Sequence, residues 1–285
     1  MNRILFPVLV FASLFFLSCK KEKGNDQQSL PAQTYLNVAY GNDPAQKMDV
    51  YLPAGRTTAT TKVMVMIHGG AWSSGDKTDF NAYVDTIKRR QPDYAIFNLN
   101  YRLSTGTTNT FPAQENDVKA ALSFIVNKLS EYNISDKIVL LGASAGGHLA
   151  MLQAYKYTTP IKVKAVVDFF GPTDMNDLYN NPLLVPPATV ALIVGATPTS
   201  NPTLYQQSSP INFVSSQSPP TIVFQGGADP LVSATTQTAP LVAKLQLMGV
   251  VNQLVFYPTE GHGWVGANLT DSFNKLQAFL AANVN

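Results

Sequence analysis

The densest chemistry in the chain lies in Val139-Leu-Leu-Gly-Ala-Ser-Ala-Gly-Gly-His-Leu-Ala150, where an apolar run becomes a helical pattern. Gly142, Ser144 and Gly146 form Gly-x-Ser-x-Gly, with a strand predicted before them and a helix predicted to start at Ser144. A serine on so tight a strand-to-helix turn has a strained backbone and a hydroxyl standing clear of the sheet, which suits a nucleophile. Glycines two residues to either side leave room where the strand and helix backbones crowd together. The helix N-terminus then points N–H groups at any oxyanion formed on that serine.

A nucleophilic serine needs a base, and the chain holds only three histidines. His68 lies in a glycine-rich loop and is expected to brace it. His148 sits one turn into the helix after Ser144, whose axis carries it away from the hydroxyl. His262, in Thr259-Glu-Gly-His-Gly-Trp264, follows the last predicted strand and can reach across the carboxyl ends of the sheet, so it is the predicted base. The acid that orients it should fall between serine and histidine in chain order. Asp229, in Gly226-Gly-Ala-Asp229, ends the preceding strand and is preferred over Asp168, Asp174 and Glu260. An oxyanion needs donors, and His68-Gly-Gly-Ala-Trp72 follows another strand. The hole is assigned to the backbone N–H groups of Gly70, Ala71 and Ala145. Trp72 and Trp264 flank this set and are candidate substrate-binding walls, with core packing as the alternative.

The elements that must position these residues alternate. Residues 34–40 and 47–52 read as a strand hairpin around the turn Gly41-Asn-Asp-Pro44. Apolar runs suited to burial on both faces follow at 63–67, 94–99, 137–141, 163–169, 221–225 and 253–257. Helical patterns separate them at 79–90, 112–129, 144–155 and 233–248, with a last one at 268–282. The predicted fold class is α/β: a doubly wound, mostly parallel sheet of about eight strands. Residues 175–215, punctuated by Asn180-Asn-Pro182, Pro186-Pro187 and Asn201-Pro202, break the alternation and are expected to form a small lid. A surface excursion against the sheet edge is the alternative.

Composition narrows the function classes. The chain has 285 residues, 45% of them apolar, enough for one large α/β core. A formal net charge of +2 with scattered Lys and Arg leaves no footprint for nucleic acid. No His, Asp or Glu cluster has metal-ligand spacing, so neither a metal nor a cofactor is expected. At the N-terminus, Asn2-Arg3 precedes an apolar run over 4–17 that is too short to span a bilayer comfortably. With Cys19 after Phe16-Leu-Ser, residues 1–18 resemble a bacterial lipoprotein signal in which Cys19 is lipidated. An ordinary secretory signal is the alternative; on either reading the protein is exported. Residues 19–31 read as a polar tether and 32–285 as the folded domain. The only membrane contact expected is through the lipid, in the periplasm or at the cell surface.

The set His68-Gly-Gly-Ala-Trp72, Asn100-Tyr-Arg102, Phe111-Pro112 with Asp117, Gly142-Ala-Ser-Ala-Gly-Gly147, Asp229 and Gly261-His262 resembles the α/β-hydrolase superfamily. Within it, the chain most resembles secreted bacterial esterases grouped with Bacteroidetes feruloyl and acetyl-xylan esterases, and more loosely hormone-sensitive-lipase-like carboxylesterases. That resemblance implies a serine esterase working through an acyl-enzyme, on acetyl or hydroxycinnamoyl esters of plant polysaccharide or on small lipophilic esters. Ala71 departs from the lipase-like pattern, which has a third glycine there, but keeps its backbone N–H. A binding protein that had abandoned catalysis on this scaffold would be expected to have lost Ser144 or His262, and both are present.

Overall fold

The computed structural model describes residues 29–285 together with Met1. The leader, Cys19 and most of the tether therefore lie outside the described residues. One eight-stranded sheet runs in the order β1-β2-β4-β3-β5-β6-β7-β8. β1 (Gln33–Ala39) and β2 (Lys47–Leu52) form the antiparallel hairpin at one edge, and β2 pairs antiparallel with β4 (Tyr94–Leu99). From β4 onward every pairing is parallel, through β3 (Lys62–Ile67), β5 (Ile138–Ala143), β6 (Ala165–Phe169), β7 (Thr221–Gly226) and β8 (Asn252–Tyr257).

Burial explains why these strands read as they do. Every residue of β4, β6 and β7 is buried, so neither face has reason to be polar. The edge strand β1 is largely exposed, and β8 alternates exposed and buried positions over its last four residues. Helices α1 (Asn81–Arg90) and α8 (Gly266–Asn283) cover one face, around Met64, Ile96, Phe224 and Phe279. Helices α2 (Ala113–Tyr132), α3 (Ala145–Lys156) and α7 (Ala239–Leu247) cover the other, around Val65, Phe97, Leu122 and Leu149.

Two boundaries differ most from the sequence reading. Helix α2 runs on to Tyr132, where Asn133 (φ 53°) ends it in the left-handed conformation that asparagine tolerates. The single helix expected over 233–248 is two pieces, a π-type turn at Ala234–Thr238 and then α7. Pro240 has no N–H to donate to a preceding turn and fits only in the first turn of a helix, so α7 restarts at Ala239.

The segment after β6 contains α4 (Met175–Asn180), α5 (Pro187–Val194) and α6 (Pro202–Gln207). Asp174 caps α4, its carboxylate accepting from the N–H groups of Asn176 and Asp177. Val190, Ile193, Val194 and Tyr205 are buried against the α2/α3 side of the core. Gln237 of the π-type turn fastens the segment down: its amide oxygen accepts from the N–H groups of Thr173 and Asp174, and its amide N–H donates to Asp177. Among the described residues no helix is long and apolar enough to cross a membrane.

Candidate active site

Ser144 sits between β5 and α3 with φ 55° and ψ −123°, a strained conformation for any residue but glycine. Both flanking glycines are dictated by contact. A Cβ on Gly142 would lie 2.2 Å from the backbone of Gly146, and one on Gly146 would lie 1.9 Å from the carbonyl oxygen of Ile67. The Ser144 N–H donates to the Phe169 carbonyl at 2.8 Å, which ties the turn to β6.

The structure brings Ser144, His262 and Asp229 together, although 118 positions separate the first two in the chain. His262 Nδ1 lies 2.8 Å from Asp229 Oδ2, and its Nε2 lies 2.8 Å from Ser144 Oγ. A carboxylate only accepts, so Nδ1 carries the proton and Nε2 is left to accept from the serine hydroxyl. The Asp229 carboxylate is fixed by the N–H groups of Leu231 (2.8 Å) and Val232 (2.9 Å) and by the Gln225 amide (3.3 Å). Gln225 is held in turn by the Thr238 hydroxyl, 2.8 Å from its amide oxygen. The sequence reading missed Gln225, whose one signal is its place at the carboxyl end of β7 beside the Gly-Gly-Ala-Asp loop.

Gly70, Ala71 and Trp72 all have positive φ, at 105°, 48° and 58°, so the peptide reverses sharply after β3. Among the described residues no protein oxygen accepts from the N–H of Gly70 or Ala71. The N–H of Ala145, first residue of α3, has no partner within its helix. The Asn100-Tyr-Arg102 run braces this loop. Asn100 accepts from Lys77 N–H at 2.6 Å and donates to Asp76 at 2.7 Å. The Tyr101 hydroxyl donates to the His68 carbonyl at 3.0 Å, and its ring stacks on the His68 imidazole. Arg102 pairs with buried Asp117 at 2.6 Å, and buried Lys77 pairs with Asp49 at 2.9 Å.

The other candidates take different places. His68 is buried, which lowers its basicity, and its Nδ1–H donates to the Gly69 carbonyl. His148 is fully buried; its Nδ1 accepts from the Trp72 indole N–H at 3.2 Å and its Nε2–H donates to the Ser208 carbonyl at 2.7 Å. Burial pushes that imidazole down to about 4, so it is neutral at physiological pH. The expectation of a substrate wall at Trp72 is corrected: the side chain is 3% exposed and packs edge-on against Phe111 and His148. Trp264 is also mostly buried, its indole N–H donating to Ser272 Oγ at 2.9 Å, but its ring lines a pocket beside the site. Asp168 lies inside β6, where burial raises its carboxyl well above the ordinary range; Asp174 is the α4 cap, and Glu260 accepts from Asn268.

Among the described residues no three His, Cys, Asp or Glu side chains converge as they would on a metal ion. The arrangement has what acyl transfer requires: a hydroxyl, a base bonded to it, a carboxylate on the base, and unbonded N–H groups beside the hydroxyl.

Comparison with known proteins gives a consistent pattern. The family model BD-FAE matches residues 48–245. "Probable carboxylic ester hydrolase LipM" of Mycobacterium tuberculosis is 31% identical over 211 residues, covering 69% of this chain and 48% of that protein. The chain spans about half the length of the curated relatives it matches. Among solved structures, "Truncated form of carbohydrate esterase from gut microbiota" superposes with a TM-score of 0.74 at 25% identity, covering 90% of this chain and 97% of that one. "Bifunctional GH43-CE" of Bacteroides eggerthii gives a TM-score of 0.73 at 27% identity, covering 86% of this chain and 38% of that one.

Proposed function

From the premise that this chain belongs to the BD-FAE family, we propose that it is a serine hydrolase that cleaves carboxylic esters through an acyl-enzyme. The observation that carries the reading is the pair of 2.8 Å contacts running from Ser144 through His262 to Asp229. Ser144 Oγ attacks the ester carbonyl carbon while its proton passes to His262 Nε2. Asp229 holds the imidazole tautomer and stabilises the imidazolium. The N–H groups of Gly70, Ala71 and Ala145 receive the oxyanion. As the carbonyl re-forms, the C–O bond to the alcohol breaks and the alcohol leaves with the proton from Nε2. Water then attacks the acyl-serine, its proton passing to Nε2, and collapse releases the acid and restores the Ser144 hydroxyl.

The substrate we propose is an acyl ester on plant polysaccharide, supported by the carbohydrate esterase named among the structural neighbours. A carboxylesterase acting on small lipophilic esters is the second reading, favoured by the apolar pocket beside the site and by the named carboxylic ester hydrolase relative. The segment over 175–215 serves as the lid in this proposal, supported by the Leu184 N–H, which donates to the carbonyl of Pro230 beside Asp229. An exported, lipid-anchored location is proposed on the residues before Cys19. Acetate release from acetylated xylan, with Ser144→Ala as control, tests the substrate. Serine-dependent release supports the polysaccharide reading. Hydrolysis of p-nitrophenyl acetate without any release from xylan would replace it with the small-ester reading.

A further inference from the structure

We propose that the apolar pocket beside Ser144 and His262 is the acyl subsite, shaped for an uncharged hydrocarbon acyl group longer than acetyl, with Phe170 at its mouth. The inference rests on the ester-hydrolase reading above. The pocket lies in the layer between the sheet and helices α1 and α8, directly below the carboxyl ends of β5 and β6. Its mouth is made by Ala143, Phe170 and Gly263, which are sequence neighbours of Ser144, Gly171 and His262 respectively. Phe170, which lines the pocket, also lies against the His262 ring, whose Nε2 is 2.8 Å from Ser144 Oγ, so the pocket borders the base that serves the nucleophile.

Phe170 is a non-glycine residue at φ 45°, a conformation that costs energy and persists only when its surroundings impose it. Its N–H is tied to the Phe224 carbonyl at 2.8 Å. Its ring centroid lies 4.6 Å from that of His262 and 5.4 Å from that of Trp264, so one ring contacts the base and walls the pocket. Gly263, at φ 115°, takes a backbone conformation on the opposite lip that suits glycine, and a Cβ there would sit 3.8 Å from Phe170, in ordinary contact. Deeper in, Leu141 forms the floor, with Tyr83 and Leu269 as walls.

The lining sets the chemistry. Among the described residues no charged side chain borders the pocket, and the Trp264 indole N–H is already given to Ser272. A sugar entering it would lose its hydration with almost nothing in return, which is costly for each hydroxyl. The carbohydrate side of the ester is therefore excluded and the acyl side goes in. The cavity, about 70 Å³, has room for more than the methyl group of an acetyl ester.

The test is a pair of ester series with the purified protein. In p-nitrophenyl esters from acetate to octanoate, kcat/KM is expected to rise beyond acetate. Leu269→Trp, which fills the pocket, should lower the hexanoate-to-acetate ratio of kcat/KM by about 10- to 100-fold, the range a few mismatched methylenes produce. Tyr83→Ala, which enlarges it, should move the optimum to longer chains. A flat acyl series, or a ratio unmoved by both variants, overturns the proposal. So does a response confined to alkyl acetates of increasing alcohol length, which would make this the leaving-group side. If the folded protein hydrolyses none of these esters, the hydrolase reading has failed separately. Calorimetric titration of methyl hexanoate into Ser144→Ala then decides the pocket: binding abolished by adding Leu269→Trp supports it, and no binding overturns it.

Discussion

Ser144 stands between two sets of the same residue types with opposite fates. On one side, His262 and Asp229 touch each other and the serine hydroxyl, at the loop-rich carboxyl ends of β7 and β8. On the other, His148, in the first turn of α3, and Asp168, in β6, are both buried. Asp168 Oδ1 accepts from Gly171 N–H at 3.0 Å, while the His148 ring is used up by Trp72 and Ser208. The chemistry of a histidine or aspartate is thus set by whether its environment leaves a face open toward the reaction. His262 has an unspent nitrogen pointing at the serine; both nitrogens of His148 serve packing. Burial disfavours charge on the second set: it lowers the imidazole and raises the carboxyl.

Substitutions on the two sides should separate accordingly. The largest effect belongs to Ser144→Ala, expected to lower kcat for p-nitrophenyl acetate on the order of 10⁶-fold with no loss of thermal stability. Asp229→Asn should cost about 10⁴ in kcat, because an amide in place of the carboxylate favours the wrong histidine tautomer. Gly70→Ala places a Cβ 2.2 Å from the Ser74 carbonyl at a φ of 105°. Displacing that loop should cost on the order of 10²–10³ in kcat. On the buried side, Trp72→Phe removes the donor to His148 Nδ1 and leaves a buried acceptor unpaired. It should lower the free energy of unfolding by about 1–3 kcal/mol, measured by urea titration, with a smaller effect on kcat than Gly70→Ala.

The remaining effect is on pH dependence, and its sign differs within the buried set. His148 is held down to about 4 from 6.5, so below pH 6.5 the unfolded chain takes up a proton that the folded chain refuses. Its contribution to stability is complete above that pH and declines toward pH 4, by about 3 kcal/mol in all. Asp168 is raised, so the folded chain keeps a proton that the unfolded chain releases above 3.8, and its contribution is lost as pH rises. Urea titrations between pH 4 and 8 should show His148→Gln flattening the acid-side decline. Asp168→Asn should show a stability difference from the parent chain that grows more favourable as pH rises.

Much of this division was legible in the sequence. The inner strands stand out because burial on both faces makes them mostly apolar runs, and Gly142 and Gly146 stand out because no Cβ fits there. His262 and Asp229 could be picked out because few residue types serve those roles and each directly follows a strand. The role of Trp72 was not legible. Its partner His148 is 76 positions away, and only the folded sheet makes them neighbours. Phe170 was hidden for another reason: an aromatic at a strand end gives no sign of a left-handed backbone or of which layer receives its ring. The break at Ala234–Thr238 follows from Pro240, a signal present in the sequence but read as interior to a helix.

The central claim is that Ser144 is a nucleophile activated by His262, and covalent labelling tests it most directly. The protein is treated with a fluorophosphonate and the adduct is located by peptide mass spectrometry. The account expects one adduct, on Ser144, absent in Ser144→Ala and formed far more slowly in Asp229→Asn. A folded protein that takes no label, or one labelled equally in Ser144→Ala, would contradict it.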